Sequence, residues 1–398
     1  MYSKNIIIIL YCIPNILYIC VLNRLFMINR TLQNVISERL FKQKVIVLLG
    51  ARQVGKTTLL KRMMQDFENV LWMNGDNLDV QEIFKNQTST QLKSYIGNPS
   101  ILVIDEAQKI ENIGIGLKLI HDNFPEIQII ATGSSSFELK NHLNEPLTGR
   151  KFEHQLFPLS TRELIEYHGG LVENRMLKHR LVYGFYPEIV MSEEFIIERL
   201  HTLLDSYLYK DLLMLNTLKK PDKLIKLLQA LAFQIGSQVS YHEIGTLIGL
   251  DSKTIETYVD LLEKVFVIFR LNSFSRNIRN ELKSSKKIYF YDNGIRNALI
   301  NNFQIAETRH DIGLLWENYL VSERKKRNAY HGIYANTFFW RTAQRQEIDY
   351  LEEKNGIIYA FEFKWNTHKM PKLTSTFATA YPNHEFKVIT PDNYLEFV

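Results

Sequence analysis

Residues 45–60 read VIVLLGARQVGKTTLL, an apolar run that enters a glycine-bounded loop and leaves it as a helix-forming segment. Gly50, Gly55, Lys56 and Thr57 satisfy the spacing G-x-x-x-x-G-K-[ST], and a strand before and a helix after give that spacing its mechanical meaning. A loop that turns its backbone N–H groups inward needs residues that tolerate positive φ, which would account for both glycines. The segment Gly50, Ala51, Arg52, Gln53, Val54, Gly55, Lys56, Thr57 and Thr58 is therefore expected to cradle phosphates at a helix N-terminus. Lys56 would supply charge to the β- and γ-phosphates of ATP, and the Thr57 hydroxyl is placed to ligate Mg²⁺.

The remainder of the chain is read outward from that loop. At 398 residues it has room for two or three domains, each with its own core. The 48 basic and 43 acidic residues leave a net charge of +5, so any basic surface must be local. The only cysteines, Cys12 and Cys20, exclude a disulfide framework and cysteine-ligated zinc, and fit a reducing cytoplasm. The apolar run Ile6 to Leu22 has three readings. A membrane anchor would be longer and free of Pro14 and Asn15. A secretory signal would carry an A-x-A-like site. The third reading, a true start at Met27 after a 26-residue extension, is preferred, so membrane attachment is not expected.

Downstream, Leu32, Val35, Ile36 and Leu40 share one helical face, Asn69 to Met73 reads as a strand, and Gln81 to Tyr95 as a helix. Ile101 to Gln108, ILVIDEAQ, is an apolar strand ending in two carboxylates. Asp105 would hold Mg²⁺ through water and Glu106 would orient or polarise the attacking water. In Gln128 to Ser136, QIIATGSSS, either Thr132 or Ser134 could read the γ-phosphate; the alternative is that they only cap the next helix. GARQVGKTTLL, ILVIDEAQ, ATGSSS, LTGR and PLSTRE stand in an order that resembles the AAA-type ATPases of bacteria and archaea with an extended C-terminal half. That resemblance implies Arg150 as an arginine finger, reaching a phosphate in its own or a neighbouring subunit of a homo-oligomer; the alternative is a surface arginine in a turn. Residues 159–218 would form a helical lid on a core spanning 27–158.

Between 219 and 292 three helices precede a hairpin, the order of a winged helix-turn-helix. Ser240 and Glu243 read as a capping box. Ile255, Tyr258, Val259 and Leu262 would form the buried face of the third helix, leaving two acids and one base outside, a poor surface for reading DNA bases. The basic segment 275–287, with Arg276, Arg279, Lys283, Lys286 and Lys287 against Glu281, could ride a DNA backbone or dock on another domain.

Residues 293–398 start with an amphipathic helix carrying Glu317, followed by strand-like runs TFFWR, EIDYLE and IIYAFEFKW. Asp349 on the second run, with Glu362 and Lys364 on one face of the third, could bind Mg²⁺ and place a charge beside an attacking water. This block resembles the PD-(D/E)XK nuclease fold through Asp349, Glu362 and Lys364, with Glu317 as an additional acid. The expected class is thus α/β: a P-loop AAA-type parallel sheet with a helical lid, a winged helix, and an α/β PD-(D/E)XK-like domain. The leading expectation is an ATPase coupled to a nuclease-like, DNA-binding half. The alternative is a nucleotide-driven switch whose silent C-terminal half binds a protein partner.

Overall fold

The computed structural model describes residues 27–85, 88–134, 146–206, 221–275, 285–366 and 370–398. The extension 1–26 and Arg276, Arg279, Glu281 and Lys283 of the basic segment lie outside them. After helix α1 (Thr31–Ser37), the first sheet is built from β1 (Val45–Leu49), helix α2 (Lys56–Met64), β2 (Val70–Asn74), helices α3 (Leu78–Phe84) and α4 (Ser89–Ile96), β3 (Ile101–Asp105), helix α5 (Ile113–Asn123), β4 (Gln128–Gly133) and β5 (Lys151–Gln155). Its strand order is β2-β3-β4-β1-β5, all parallel. β1 is buried throughout and β3 up to Ile104, which is why both read as uninterrupted apolar runs. The single helix expected over 81–95 is two, because Thr88 opens a new helix with a reciprocal capping box to Gln91.

The region expected as a lid holds α6 (Thr161–His168), α7 (Gly170–Tyr183), α8 (Pro187–Val190) and α9 (Ile196–Ser206). Next come α10 (Pro221–Phe233), β6 (Gln238–Val239), α11 (Tyr241–Ile248), α12 (Ser252–Lys264), β7 (Ile268–Ser273) and β8 (Lys286–Phe290). The helix and hairpin order matches the sequence expectation, and the α12 core face is Ile255, Tyr258, Val259 and Leu262 as read. Of the capping box at Ser240 only the half in which its hydroxyl accepts the Glu243 N–H is formed.

The C-terminal stretch adds α13 (Asn293–Leu299), α14 (Ile312–Tyr330), β9 (Asn336–Arg341), β10 (Glu347–Lys354), β11 (Ile357–Phe363), α15 (Ser375–Ala380) and β12 (His384–Ile389). The hairpin β7–β8 does not stand apart. Parallel pairing of β7 with β9 fuses it into one seven-stranded sheet, β12-β11-β10-β9-β7-β8-β6. Residue 292 is likewise no gap: Asp292 accepts the Phe185 N–H at 2.6 Å, and the wholly buried α13 packs on α7, with Asn297 Nδ2 donating to Val182 O at 2.7 Å.

α14 is buried nearly all round, not amphipathic as its sequence suggested. Its polar residues are buried because each has a partner in a different part of the fold. Asn318 Oδ1 accepts from Phe290 N at 2.7 Å, Glu323 Oε2 from Thr161 N at 2.7 Å, and the Tyr330 hydroxyl from Phe157 N at 3.1 Å. Among the described residues no helix is long and apolar enough to cross a membrane.

Arg324 clamps Glu352 on β10 through Nε and Nη2 at 2.9 and 2.6 Å, and Asn328 adds a donor at 2.6 Å. Burial pushes the Glu352 carboxyl up, but Arg324, Asn328 and Tyr350 outweigh it and hold it below the ordinary 4.5. A lowered carboxyl contributes stability above its unfolded value that is lost as pH falls through the folded one. Glu352→Gln should therefore cost about 2–3 kcal/mol at neutral pH. The deficit relative to wild type should shrink as pH drops below 4.5, read by thermal melting across pH.

Candidate active site

The loop between β1 and α2 takes the shape its sequence required, with one difference in cause. Gly55 has φ +95°, where an L side chain is strained, but Gly50 is not in that region. Gly50 is required by packing instead, because a Cβ there would lie 2.3 Å from Leu156 O where the chain leaving β5 passes. Lys56 is buried, its ammonium donating to Gly50 O at 2.8 Å and Ala51 O at 2.9 Å, and so lies across the mouth of the loop.

Because β4 lies between β1 and β3, its end sits between the loop and the acidic strand end. Thr57 Oγ1 donates to Asp105 Oδ2 at 2.7 Å, and Thr132 Oγ1 donates to Asp105 Oδ1. The Glu106 N–H donates back to Thr132 Oγ1 at 3.1 Å. Glu106 has φ +50°, and Gly75 lies so close that a Cβ there would sit 2.3 Å from Glu106 O. A non-glycine residue in the left-handed region is held there by its surroundings and marks a site where side-chain aim matters. Gln108 Nε2 supplies part of that restraint, donating to Glu106 Oε2 and, at 3.0 Å, to Ser134 Oγ. The sequence signal for Gln108 is only its place two residues after Glu106.

Oxygen ligands from Thr57 and Asp105 suit Mg²⁺, which rarely takes an all-protein cage and completes its sphere with phosphate and water oxygens. Beside the loop lies a mainly apolar cavity of about 210 Å³ lined by Met27, Ile28, Leu59, Leu159, Pro187 and Met191.

Arg150 is not part of this cluster. Its carbonyl accepts the Val45 N–H at 2.9 Å, which puts it at the far end of β1 from Gly50, about 16 Å along the strand. Its Nε pairs with Asp122 at 2.8 Å, so it does not reach this chain's own loop.

Arg30 carried no sequence signal, yet it joins three parts of the fold beneath the loop. It is buried and donates to Val54 O at 2.7 Å, Phe157 O at 2.6 Å, Glu163 Oε1 at 3.1 Å and the Tyr330 hydroxyl at 3.4 Å.

A family model described as an AAA domain matches residues 42–165. Those residues are an AAA-type domain, and they contain the loop at Gly50 to Thr57 and the strand ending at Asp105. Two further models, each described as a domain of unknown function (DUF8612 and DUF4143), match residues 174–306 and 312–395, after the AAA domain. An uncharacterized protein of Haemophilus influenzae is 26% identical over 356 residues, covering 82% of this chain and 85% of its own length. One from Mycobacterium tuberculosis is 25% identical over 329 residues, covering 82% and 71%. Among solved structures, a Walker-type ATPase of Pyrococcus abyssi is similar over 69% of this chain and 96% of that chain, at a TM-score of 0.49 and 17% identity.

In the C-terminal half, Glu317, Asp349, Glu362 and Lys364 lie in one neighbourhood. Lys364 Nζ donates to Glu362 Oε1 at 2.9 Å, and Asp349 Oδ2 accepts the Phe363 N–H at 2.8 Å. Burial, first of all, raises the pKa of all three carboxyls, Glu317 to about 7. The unexpected member is Lys287, assigned above to a basic phosphate-facing segment. Its side chain is 1% exposed, with Nζ 2.6 Å from Glu347 Oε1 and 2.9 Å from Glu317 Oε1. Lys286, on the opposite face of β8, is a quarter exposed and lies 3.5 Å from Glu256 on α12. Lys287 is therefore not available to a DNA backbone. Among the described residues no three acidic, histidine or cysteine side chains are grouped so as to hold a metal ion.

Proposed function

We propose that the AAA domain binds ATP with Mg²⁺ and hydrolyses it, and that the cycle acts on the C-terminal half through α14. The reading rests on the continuous set of contacts Thr57–Asp105–Thr132–Glu106 beside a lysine-closed phosphate loop. The backbone of residues 50–58 and the Lys56 ammonium bind the phosphates once Lys56 leaves the Gly50 and Ala51 carbonyls. Mg²⁺, held by Thr57 and Asp105, would supply charge neutralisation at the phosphates. Glu106, aimed by Gln108 and its own backbone, orients the attacking water and accepts its proton as the γ-phosphorus parts from the bridging oxygen to ADP. Ser134, through Gln108, positions Glu106 at one remove. The apolar cavity receives the base. Arg150, remote from its own loop, serves only a neighbouring copy.

Lys56→Ala should lower ATP affinity by about tenfold or more and bring turnover to background. Fluorescent-nucleotide titration and phosphate release on the full chain measure both; a variant that binds and hydrolyses like wild type refutes the reading.

The coupling to α14 draws on Arg30, which touches the loop at Val54 and α14 at Tyr330. A rod gripped at the nucleotide end and buried in the second sheet is a direct mechanical link from loop movement to the C-terminal half.

A further inference from the structure

We infer that Lys287 is a built-in cation standing in the place of a divalent metal, so that the C-terminal acidic centre holds no metal and does not cleave by one. The inference is independent of the ATPase reading. It starts from where the groups come from. Lys287 lies on β8, Glu317 on α14, Glu347 and Asp349 on β10, Glu362 on β11 with Lys364 just after it.

Every carboxylate of the centre already has a hydrogen-bond donor. Glu317 Oε1 accepts from Lys287 Nζ at 2.9 Å and from the Tyr289 hydroxyl at 2.6 Å. Glu347 is held between Lys287 at 2.6 Å and Arg341 Nη1 at 3.2 Å. The Phe363 N–H occupies Asp349 Oδ2, and Lys364 occupies Glu362 Oε1. A divalent cation needs several of these same lone pairs in one coordination sphere. It would have to displace an ammonium from Glu317 against like-charge repulsion.

Displacement is obstructed by packing. The Lys287 side chain is 1% exposed and its ammonium lies 5.4 Å from the Phe339 ring centroid, so moving it aside means repacking the core around it. An ammonium moved aside within the core would be unpaired, which is costly. The Gly236 backbone closes the other side, since a Cβ there would sit 3.3 Å from the Glu317 carboxyl carbon. The lysine also stays charged: burial pulls its pKa down, but Glu317, Asp349 and Glu347 outweigh this and hold it above the ordinary lysine value.

The charge arrangement therefore has a use other than hydrolysis. One buried ammonium neutralises acids from α14 and β10 and fastens β8 to both, at the seam where the hairpin joins the C-terminal sheet. A C-terminal half built this way serves as a binding or transmitting module.

The test titrates Mn²⁺ into the nucleotide-free full chain and follows the ion by electron paramagnetic resonance. Wild type should bind no Mn²⁺ that Asp349→Ala removes. Lys287→Ala removes the ammonium shared by Glu317 and Glu347 and the positive charge nearest Asp349, and should gain a Mn²⁺ site with about tenfold or greater improvement in affinity, lost again in Lys287→Ala/Asp349→Ala. Should Lys287→Ala not fold, Lys287→Gln keeps the volume without the charge and carries the same expectation. Wild-type Mn²⁺ binding abolished by Asp349→Ala overturns the inference. A folded Lys287 variant that gains no Mn²⁺ overturns it equally.

Discussion

Replacing Glu106 by Gln is expected to slow ATP hydrolysis by about two to four orders of magnitude while ATP binding stays within about twofold. The split follows from geometry. The groups that would hold phosphate, the 50–58 backbone and Lys56, do not touch the Glu106 side chain, whose carboxylate instead bonds Gln108. Gln is nearly the same shape and can still meet Gln108 by turning its amide, but it cannot take a proton from water. The left-handed backbone at Glu106 supports the same conclusion, because it is maintained by the Thr132 hydroxyl and the bare Gly75, independently of the side chain. Single-turnover phosphate release beside equilibrium nucleotide binding separates the two quantities. An equal loss of both would mean that Glu106 shapes the pocket and does not act on water.

Arg30→Ala should be the most destabilising of the single substitutions considered. Glu163 is 0% exposed on its side chain and pairs with Arg30 at 3.1 Å. Two backbone N–H groups, of Thr31 at 2.8 Å and Ser160 at 2.9 Å, also donate to Glu163, so the carboxylate cannot leave when the arginine is removed. A buried charge left without its partner costs about 3–5 kcal/mol. With a melting-temperature shift of about 2–4 °C per kcal/mol for domains of this size, the drop is roughly 6–20 °C. Calorimetry or circular-dichroism melting measures it. A change of about 1 °C or less would show that Val54 O, Phe157 O and Glu163 find other donors, and would remove Arg30 as the link from the loop to α14.

Legibility in the sequence followed one rule. The phosphate loop, the strand ending at Asp105 and Glu106, the α12 core face and the Asp349–Glu362–Lys364 grouping were all readable, because each is built from residues a few positions apart on one element or on adjacent strands. Their geometry is set by strand or helix period, which a sequence displays directly. The misreadings were of another kind. Lys287 looked like part of a basic surface because Arg276, Arg279, Lys283 and Lys286 are its neighbours in the chain; strand alternation turned it into the sheet, toward an acid 30 residues away. α14 looked one-sided because its polar positions have partners only once the lid, the hairpin and the AAA domain surround it. Gly50 was assigned to backbone freedom, whereas the passing chain at Leu156 is what excludes a side chain.

By itself, then, the sequence determined that this protein carries a P-loop AAA-type domain and where its glycine-bounded loop and strand-end acids lie, since contiguous backbone and strand ends hold that pattern locally. Only the tertiary structure decided which charges are buried together. Arg30 meets Glu163 across 133 residues and Tyr330 across 300, and Lys287 meets Glu317 and Glu347 across a sheet seam. The physical reason is that a charge's role depends on the dielectric and the partners around it, and those exist only after distant elements have packed.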